Sequence, residues 1–157
     1  MDSQTAAASA PTPQALADHV RHGMLANDRA TLGLGIAITA MGPGHATLTM
    51  AVRPDMLNGF DICHGGFITT LADSAFAFAC NSRNDMTVAS GLSVDFLAPA
   101  REGDLLTAQA TEVSLAGRTG VYDVSVHNQR HEAVAVFRGR SYAMKGRVTV
   151  ALPQPGR

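Results

Sequence analysis

Tryptophan is absent from this 157-residue chain, tyrosine and cysteine each occur twice, and only 16% of the residues are charged. Each scarcity removes a class of protein. Cys63 and Cys80 form neither a CxxC pair nor the dense framework that staples a small secreted fold, so a reducing compartment is expected. Twelve Lys and Arg against thirteen Asp and Glu leave a net charge of −1 with no basic stripe, which argues against a nucleic-acid partner. Asp73 interrupts the one extended apolar run, so no segment approaches the roughly 20 apolar residues that span a bilayer. The opening MDSQTAAASAPTP has neither a basic n-region nor an apolar core of the kind that directs export. A soluble, cytoplasmic protein without a membrane partner is expected.

What is present is a hydrophobic content of 46%, enough for the core of one domain. Residues 1–12 read as a disordered tail, 13–150 as a single domain and 151–157 as a frayed end. From Pro13 to about Asp28, Leu16, Val20 and Leu25 recur near helical spacing. Leu34, Ile36, Ile38 and then Leu48, Met50, Val52 alternate around Gly42-Pro43-Gly44, the pattern of a β-hairpin. From Phe67 through Cys80 apolar residues cover nearly every helical face, so that helix must be buried. Period-two alternation follows at Leu92, Val94, Phe96 and at Tyr122, Val124, Val126, which predicts half-buried strands. With GDLLTAQATEVSLAG and AVAVFRGRSYAMKG also strand-like, the second half reads as a four-stranded meander. The fold class is therefore α+β, an antiparallel sheet curled around one long central helix.

In that helix Asp73 is the only side chain besides the Cys80 thiol that can ionise. Burying a carboxylate costs several kcal/mol unless donors or a cation compensate. One reading pairs Asp73 with Arg83 or with an Arg of another chain, or leaves it on a wet stripe. The other makes it chemical, because Gly65 and Gly66 stand where the helix opens, and free N–H groups there suit an oxygen acquiring negative charge. Eight residues separate Gly65 from Asp73, roughly 12 Å along a helix axis. Reacting atoms need to be about 3–3.5 Å apart, so the two groups can serve one carbonyl only from different chains. Two antiparallel copies of the helix about a two-fold axis would supply that arrangement twice.

Other constellations are weaker. His19 with His22, and His127 with His131, have spacings seen in metal sites, but no acid or cysteine completes a ligand set, so neither metal nor cofactor is expected. Cys63 beside His64 lacks a third orienting group for a thiol nucleophile, and SGLSVD lacks the second glycine of a serine nucleophile elbow.

NGFDICHGGFITTLADSAFAFACNS, together with VASGLSVDFLAPAREGDLL, GRTGVYDVSVHNQ and AVFRGRSY, resembles the hotdog-fold acyl-CoA thioesterases, most closely the phenylacetic acid degradation (PaaI-type) family, over roughly residues 32 to 146. The resemblance implies a hotdog fold, an essential side-by-side homodimer and association of dimers into a homotetramer. It also implies hydrolysis of hydroxyphenylacetyl-CoA, phenylacetyl-CoA or a similar small aromatic acyl-CoA. By position it puts the catalytic acid on Asp73, the oxyanion amide on Gly65 next to Gly66, and a polar amide on Asn58. Asn58 would orient water or the thioester carbonyl, while Asn58-Gly59 also suits a plain turn. His64 is expected to shape the glycine loop rather than move protons.

A neighbouring branch has a hydroxyl residue one turn after its acid, where this chain has Ala77. Ser90, Ser93 and Thr87 are the candidates to replace it. Coenzyme A phosphates call for cations, for which Arg118, Arg138, Arg140 and Lys145 are available, and Phe67 and Phe76 are candidate walls of an acyl pocket. Asp73 could act as nucleophile or as general base. The competing expectations are a non-catalytic acyl-CoA binder, a thioesterase for short or medium aliphatic acyl groups, and a hydratase using Asp61 and His64.

Overall fold

The computed structural model describes residues 10–153, so most of the expected N-terminal tail (1–9) and C-terminal end (154–157) lies outside the described residues. Helix α1, Pro13–Asn27, begins with Thr12, whose hydroxyl accepts from the Ala15 N–H at 3.2 Å, and with proline at its first position. Gln14 of α1 donates to the Met41 carbonyl at 2.8 Å and ties the helix to the first strand. A five-residue helix, α2 (Arg29–Gly33), follows directly. Asp28 creates both ends: its N–H closes α1 on the Leu25 carbonyl, and its carboxylate accepts from Thr31 N–H at 3.0 Å and Thr31 Oγ1 at 2.7 Å.

Strands β1 (Ala37–Gly42) and β2 (His45–Ala51) form the expected hairpin. Helix α3, Gly65–Asn81, is the central helix, and β3 (Asp85–Phe96), β4 (Leu105–Ala116), β5 (Thr119–His127) and β6 (Ala133–Val148) follow. All six strands join one antiparallel sheet in the order β1-β2-β4-β5-β6-β3. This is the hotdog layout. β4, β5 and β6 do form a meander, but β3 leaves it: it crosses to the far edge and pairs with β6 rather than β4. Alternation fixes which face a side chain takes and is silent about strand order, so the expected four-stranded meander is corrected to three strands plus a crossover.

α3 lies across the concave face. Leu71, Ala75, Phe76 and Phe78 are buried against Leu48, Met50, Leu106, Val124, Val126 and Phe137. Burying a side chain such as Phe76 contributes about 1.5–3 kcal/mol. Its ring lies flat on the backbone of Gly139, where any Cβ would sit 2.8 Å from three ring carbons, so a residue without a side chain is needed there. α3 is not buried all round: Gly66, Thr70, Asp73 and Ala77, spaced by four, three and four, form an incompletely buried stripe.

β3 is likewise more open than its alternation predicts. As an edge strand it has a neighbour on one side only, and Val88, Leu92 and Phe96 stay 45%, 41% and 52% exposed. Twelve residues of unpaired edge carrying apolar side chains is an arrangement a solitary protein avoids. At the other end of the sheet, Val150 N–H donates to Asn84 Oδ1 at 2.8 Å and His19 Nε2–H donates to the Ala151 carbonyl at 2.9 Å, which holds the chain in place as far as residue 151.

Candidate active site

The loop before α3 is built by Asn58. Its side-chain oxygen accepts from Phe60 N–H at 2.9 Å and from Ile62 N–H at 3.4 Å, and its own N–H donates to the Ile62 carbonyl at 2.9 Å. The turn reading of Asn58 is the one the structure shows: the carboxamide oxygen makes the turn, which fixes the side chain and leaves Nδ2 without an acceptor among the described residues. Only the donor half of Asn58 is available to a ligand.

His64 is the N-cap of α3. Its Nδ1 accepts from the Gly66 N–H at 3.2 Å, while the Phe67 N–H turns back to the His64 carbonyl at 3.0 Å. An accepting Nδ1 carries no proton, so in this contact the ring N–H is on Nε2. The consequence for the glycine pair is specific. Gly66, expected to bind substrate, has its N–H engaged by His64, whereas the Gly65 N–H has no acceptor among the described residues. The orphan amide at the positive end of a 17-residue helix is that of Gly65.

Asn58, His64, Gly65 and Thr69 border a cavity of about 750 Å³ whose remaining walls are apolar, among them Ile68, Val94, Phe96 and Leu97. The Phe96 ring packs on Gly65, with its carbons 2.7–3.2 Å from where a Cβ would stand. A second hollow of about 710 Å³ lies beside the same helix start, shares His64 and Gly66, and carries Arg29 on its rim. Among the described residues Arg29 is the one Arg or Lys lining either hollow, and sequence reasoning missed it; the short helix that places it carries no periodic apolar signal.

The other expected substrate contacts lie elsewhere. Phe137 and Gly139 face α3, so Arg138 and Arg140, alternating with them on β6, face away. Arg138 is closed on Asp123 by two hydrogen bonds of 2.6 and 2.7 Å. Arg118 stacks on the Tyr142 ring at 4.9 Å, and Ser90 Oγ donates to the Arg140 carbonyl at 3.1 Å. None of the four borders the cavity at Gly65 in a single protomer. Of the expected pocket walls, Phe76 is core and Phe67 lines the second hollow.

Asp73 sits two turns further along α3 and does not line the cavity of its own chain. Burial alone raises its carboxyl above the ordinary value of 3.8, and among the described residues none supplies a cation. Arg83, the partner considered from sequence, is instead joined to Glu112 by hydrogen bonds of 2.5 and 3.2 Å. Glu112 also accepts from the Tyr122 hydroxyl at 2.9 Å, which closes that network without Asp73. Both thiols are buried: Cys63 is raised by desolvation, and Cys80 is pushed up to about 12, by burial first and with the Asp73 charge adding to it. Neither is a thiolate nucleophile at neutral pH.

Residues 60–135 match the family model described as the thioesterase superfamily. The chain is 47% identical over 128 residues to the acyl-coenzyme A thioesterase PaaI of Escherichia coli K12, a stretch covering 82% of this chain and 91% of that one. This chain belongs to the thioesterase superfamily. Among solved structures, the E. coli PaaI protein from the phenylacetic acid degradation operon superposes with a TM-score of 0.85 at 44% identity, over 87% of this chain and 99% of that one. A Streptococcus mutans protein solved bound to acetyl CoA superposes at 0.69 with 28% identity, over 71% and 90% of the two chains. Within the thioesterase frame the two strongest chemical groups of α3, the Gly65 amide and the Asp73 carboxylate, lie on one rigid rod at a fixed separation of about 12 Å.

Proposed function

We propose that this protein hydrolyses small aromatic acyl-CoA thioesters of the phenylacetyl type to the free acid and coenzyme A, as a homodimer whose two sites each use both chains. The observation that carries the reading is a free Gly65 N–H in an apolar cavity, with the only unneutralised acid of the same helix on a stripe left open to a second copy. Pairing of two exposed β3 edges would satisfy their backbone groups, cover Leu92 and Phe96, and bring two α3 helices side by side. An antiparallel crossing puts the Asp73 of the partner opposite Gly65. Dimers of this kind associating further into a tetramer would retain the same sites.

In this site the thioester oxygen accepts from Gly65 N–H, with Asn58 Nδ2 as a second donor within the same cavity. Asp73 of the other chain removes a proton from water as it attacks the carbonyl carbon; desolvation makes that carboxylate a better base than a solvated one. The negative charge that forms on oxygen faces the helix dipole. Collapse of the tetrahedral species breaks the C–S bond, and the thiolate leaves and takes up the proton. His64 holds the N-terminus in shape through Gly66 and transfers nothing. The cavity, which contains no charged wall, takes the aromatic acyl group, and Arg29 on the neighbouring rim is a cation open to an anionic part of the substrate.

Thiol release from phenylacetyl-CoA by the purified protein tests the reading. Turnover that disappears in Asp73→Asn, with the assembly unchanged by light scattering, supports it. Retention of the thioester without turnover by the unaltered protein would instead make this a binder.

A further inference from the structure

The Phe96 ring is placed unusually for a side chain at the end of an edge strand. It covers the backbone of Gly65, with Cζ 2.7 Å and Cε2 3.0 Å from the position a Cβ would occupy, and yet about half of its surface, 52%, remains uncovered. The same ring borders the cavity into which the free Gly65 N–H opens. Two neighbouring features therefore act on one ligand: the amide fixes a carbonyl oxygen, and the ring is the first wall met by whatever is attached to that carbonyl carbon. Val94 and Leu97 flank the ring and Ile68 stands on α3, so the rest of the wall is aliphatic. Among the described residues Phe96 is the only aromatic side chain of the cavity besides His64, which is committed to its cap.

We infer that Phe96 is the residue that selects aryl over saturated acyl groups, by packing its ring against an aromatic ring held one methylene from the thioester carbonyl. The inference rests on the proposed thioesterase reading for the position of the carbonyl. Aliphatic walls bury a phenyl and a cyclohexyl group alike, since burial follows apolar area. Only a π-face distinguishes them: aromatic pairs in offset or edge-on geometry gain about 0.5–1.5 kcal/mol beyond area burial, equivalent to a roughly 2- to 13-fold preference. Gly65 is part of the device, because a side chain there would push the ring off the amide.

The test compares phenylacetyl-CoA with cyclohexylacetyl-CoA, two acyl groups of matching shape, by kcat/KM in the full-length protein and in its Phe96→Leu and Phe96→Tyr variants. The unaltered protein should favour the phenyl substrate roughly 2- to 13-fold. Phe96→Leu should bring the ratio close to one by lowering phenylacetyl-CoA turnover more than that of cyclohexylacetyl-CoA. Phe96→Tyr should restore the ratio. Equal ratios in the unaltered protein and Phe96→Leu overturn the inference and leave the proposed function standing. Should the protein hydrolyse neither compound, the proposed function fails, and the inference is decided by calorimetric affinities for the inert thioethers S-(2-phenylethyl)-CoA and S-(2-cyclohexylethyl)-CoA. A phenyl preference lost in Phe96→Leu upholds it there, and no preference refutes it.

Discussion

Replacing Gly65 with proline removes the backbone amide hydrogen to which the mechanism assigns the developing charge, at a position where the fold tolerates it. Gly65 is the first residue of α3, where proline is favoured because its missing N–H belongs to a group that has no helical partner. The preceding residue must be extended, and His64 already is, at φ −61° and ψ 131°. The remaining cost is steric: the new Cβ meets the Phe96 ring at 2.7 Å. That atom is the far end of a half-exposed side chain, so the ring swings outward at the low end of the usual overpacking cost of about 1–3 kcal/mol. Gly65→Ala adds the same Cβ but keeps the N–H, and serves as the steric control. Loss of one oxyanion donor typically lowers kcat by about 10²–10³, or 2.7–4 kcal/mol. Thiol release should therefore be about 10²–10³-fold slower in Gly65→Pro than in Gly65→Ala, while the unfolding free energies of the two variants from urea titration agree to within about 1 kcal/mol. Equal rates in the two would refute the assignment of the amide.

Two further substitutions probe the same helix. His64→Ala should destabilise by about 1 kcal/mol, the usual worth of an N-cap, and lower activity by freeing the glycine loop, whereas His64→Asn keeps a capping oxygen and should recover most of both in urea titration and thiol release. If His64→Asn is as inactive as His64→Ala, the ring is a participant and not a cap. Asp73 carries a carboxyl raised above 3.8 by burial, so its ionised form opposes folding above the raised value and is neutral toward it once protonated in both states. Asp73→Asn should accordingly be the more stable protein at pH 7, with the advantage shrinking as pH falls through the raised value and gone below about 3.8, measured at one fixed protein concentration. The acid limb of kcat/KM should likewise lie above pH 3.8; a less stable Asp73→Asn at neutral pH would contradict the desolvation argument.

The elements of this fold are legible wherever periodicity is strong. The apolar stretch from Phe67 to Cys80 dictates a buried helix, and the alternations at Leu48 and Val124 dictate strands, because those side chains have one core to face. Strand order is not written that way: Leu92, Val94 and Phe96 alternate as an inner strand does, yet they line an edge whose other neighbour is absent from a single chain. The isolation of Asp73 was legible, since no cation among the described residues answers it, and the distance to Gly65 follows from helix geometry alone. The division of labour within His64-Gly65-Gly66 was not, because it depends on which of two adjacent amides the imidazole reaches. The same holds for Asn58, whose turn and whose free donor belong to two halves of one side chain. The place of the β6 arginines was not legible either: cations are common on sheet surfaces, and Arg138 answers Asp123 across the strands rather than the cavity of its own chain.

The shared site itself is tested most directly by mixing two inactive proteins. Gly65→Pro lacks the amide and keeps the acid; Asp73→Asn lacks the acid and keeps the amide. If each site joins Gly65 of one chain to Asp73 of the other, a mixed dimer contains one intact site and one doubly broken site. Unfolding and refolding the two variants together in equal amounts makes half of the dimers mixed, so about one quarter of the unaltered activity should return. No activity above that of the separate variants would place both groups in one chain and contradict the account.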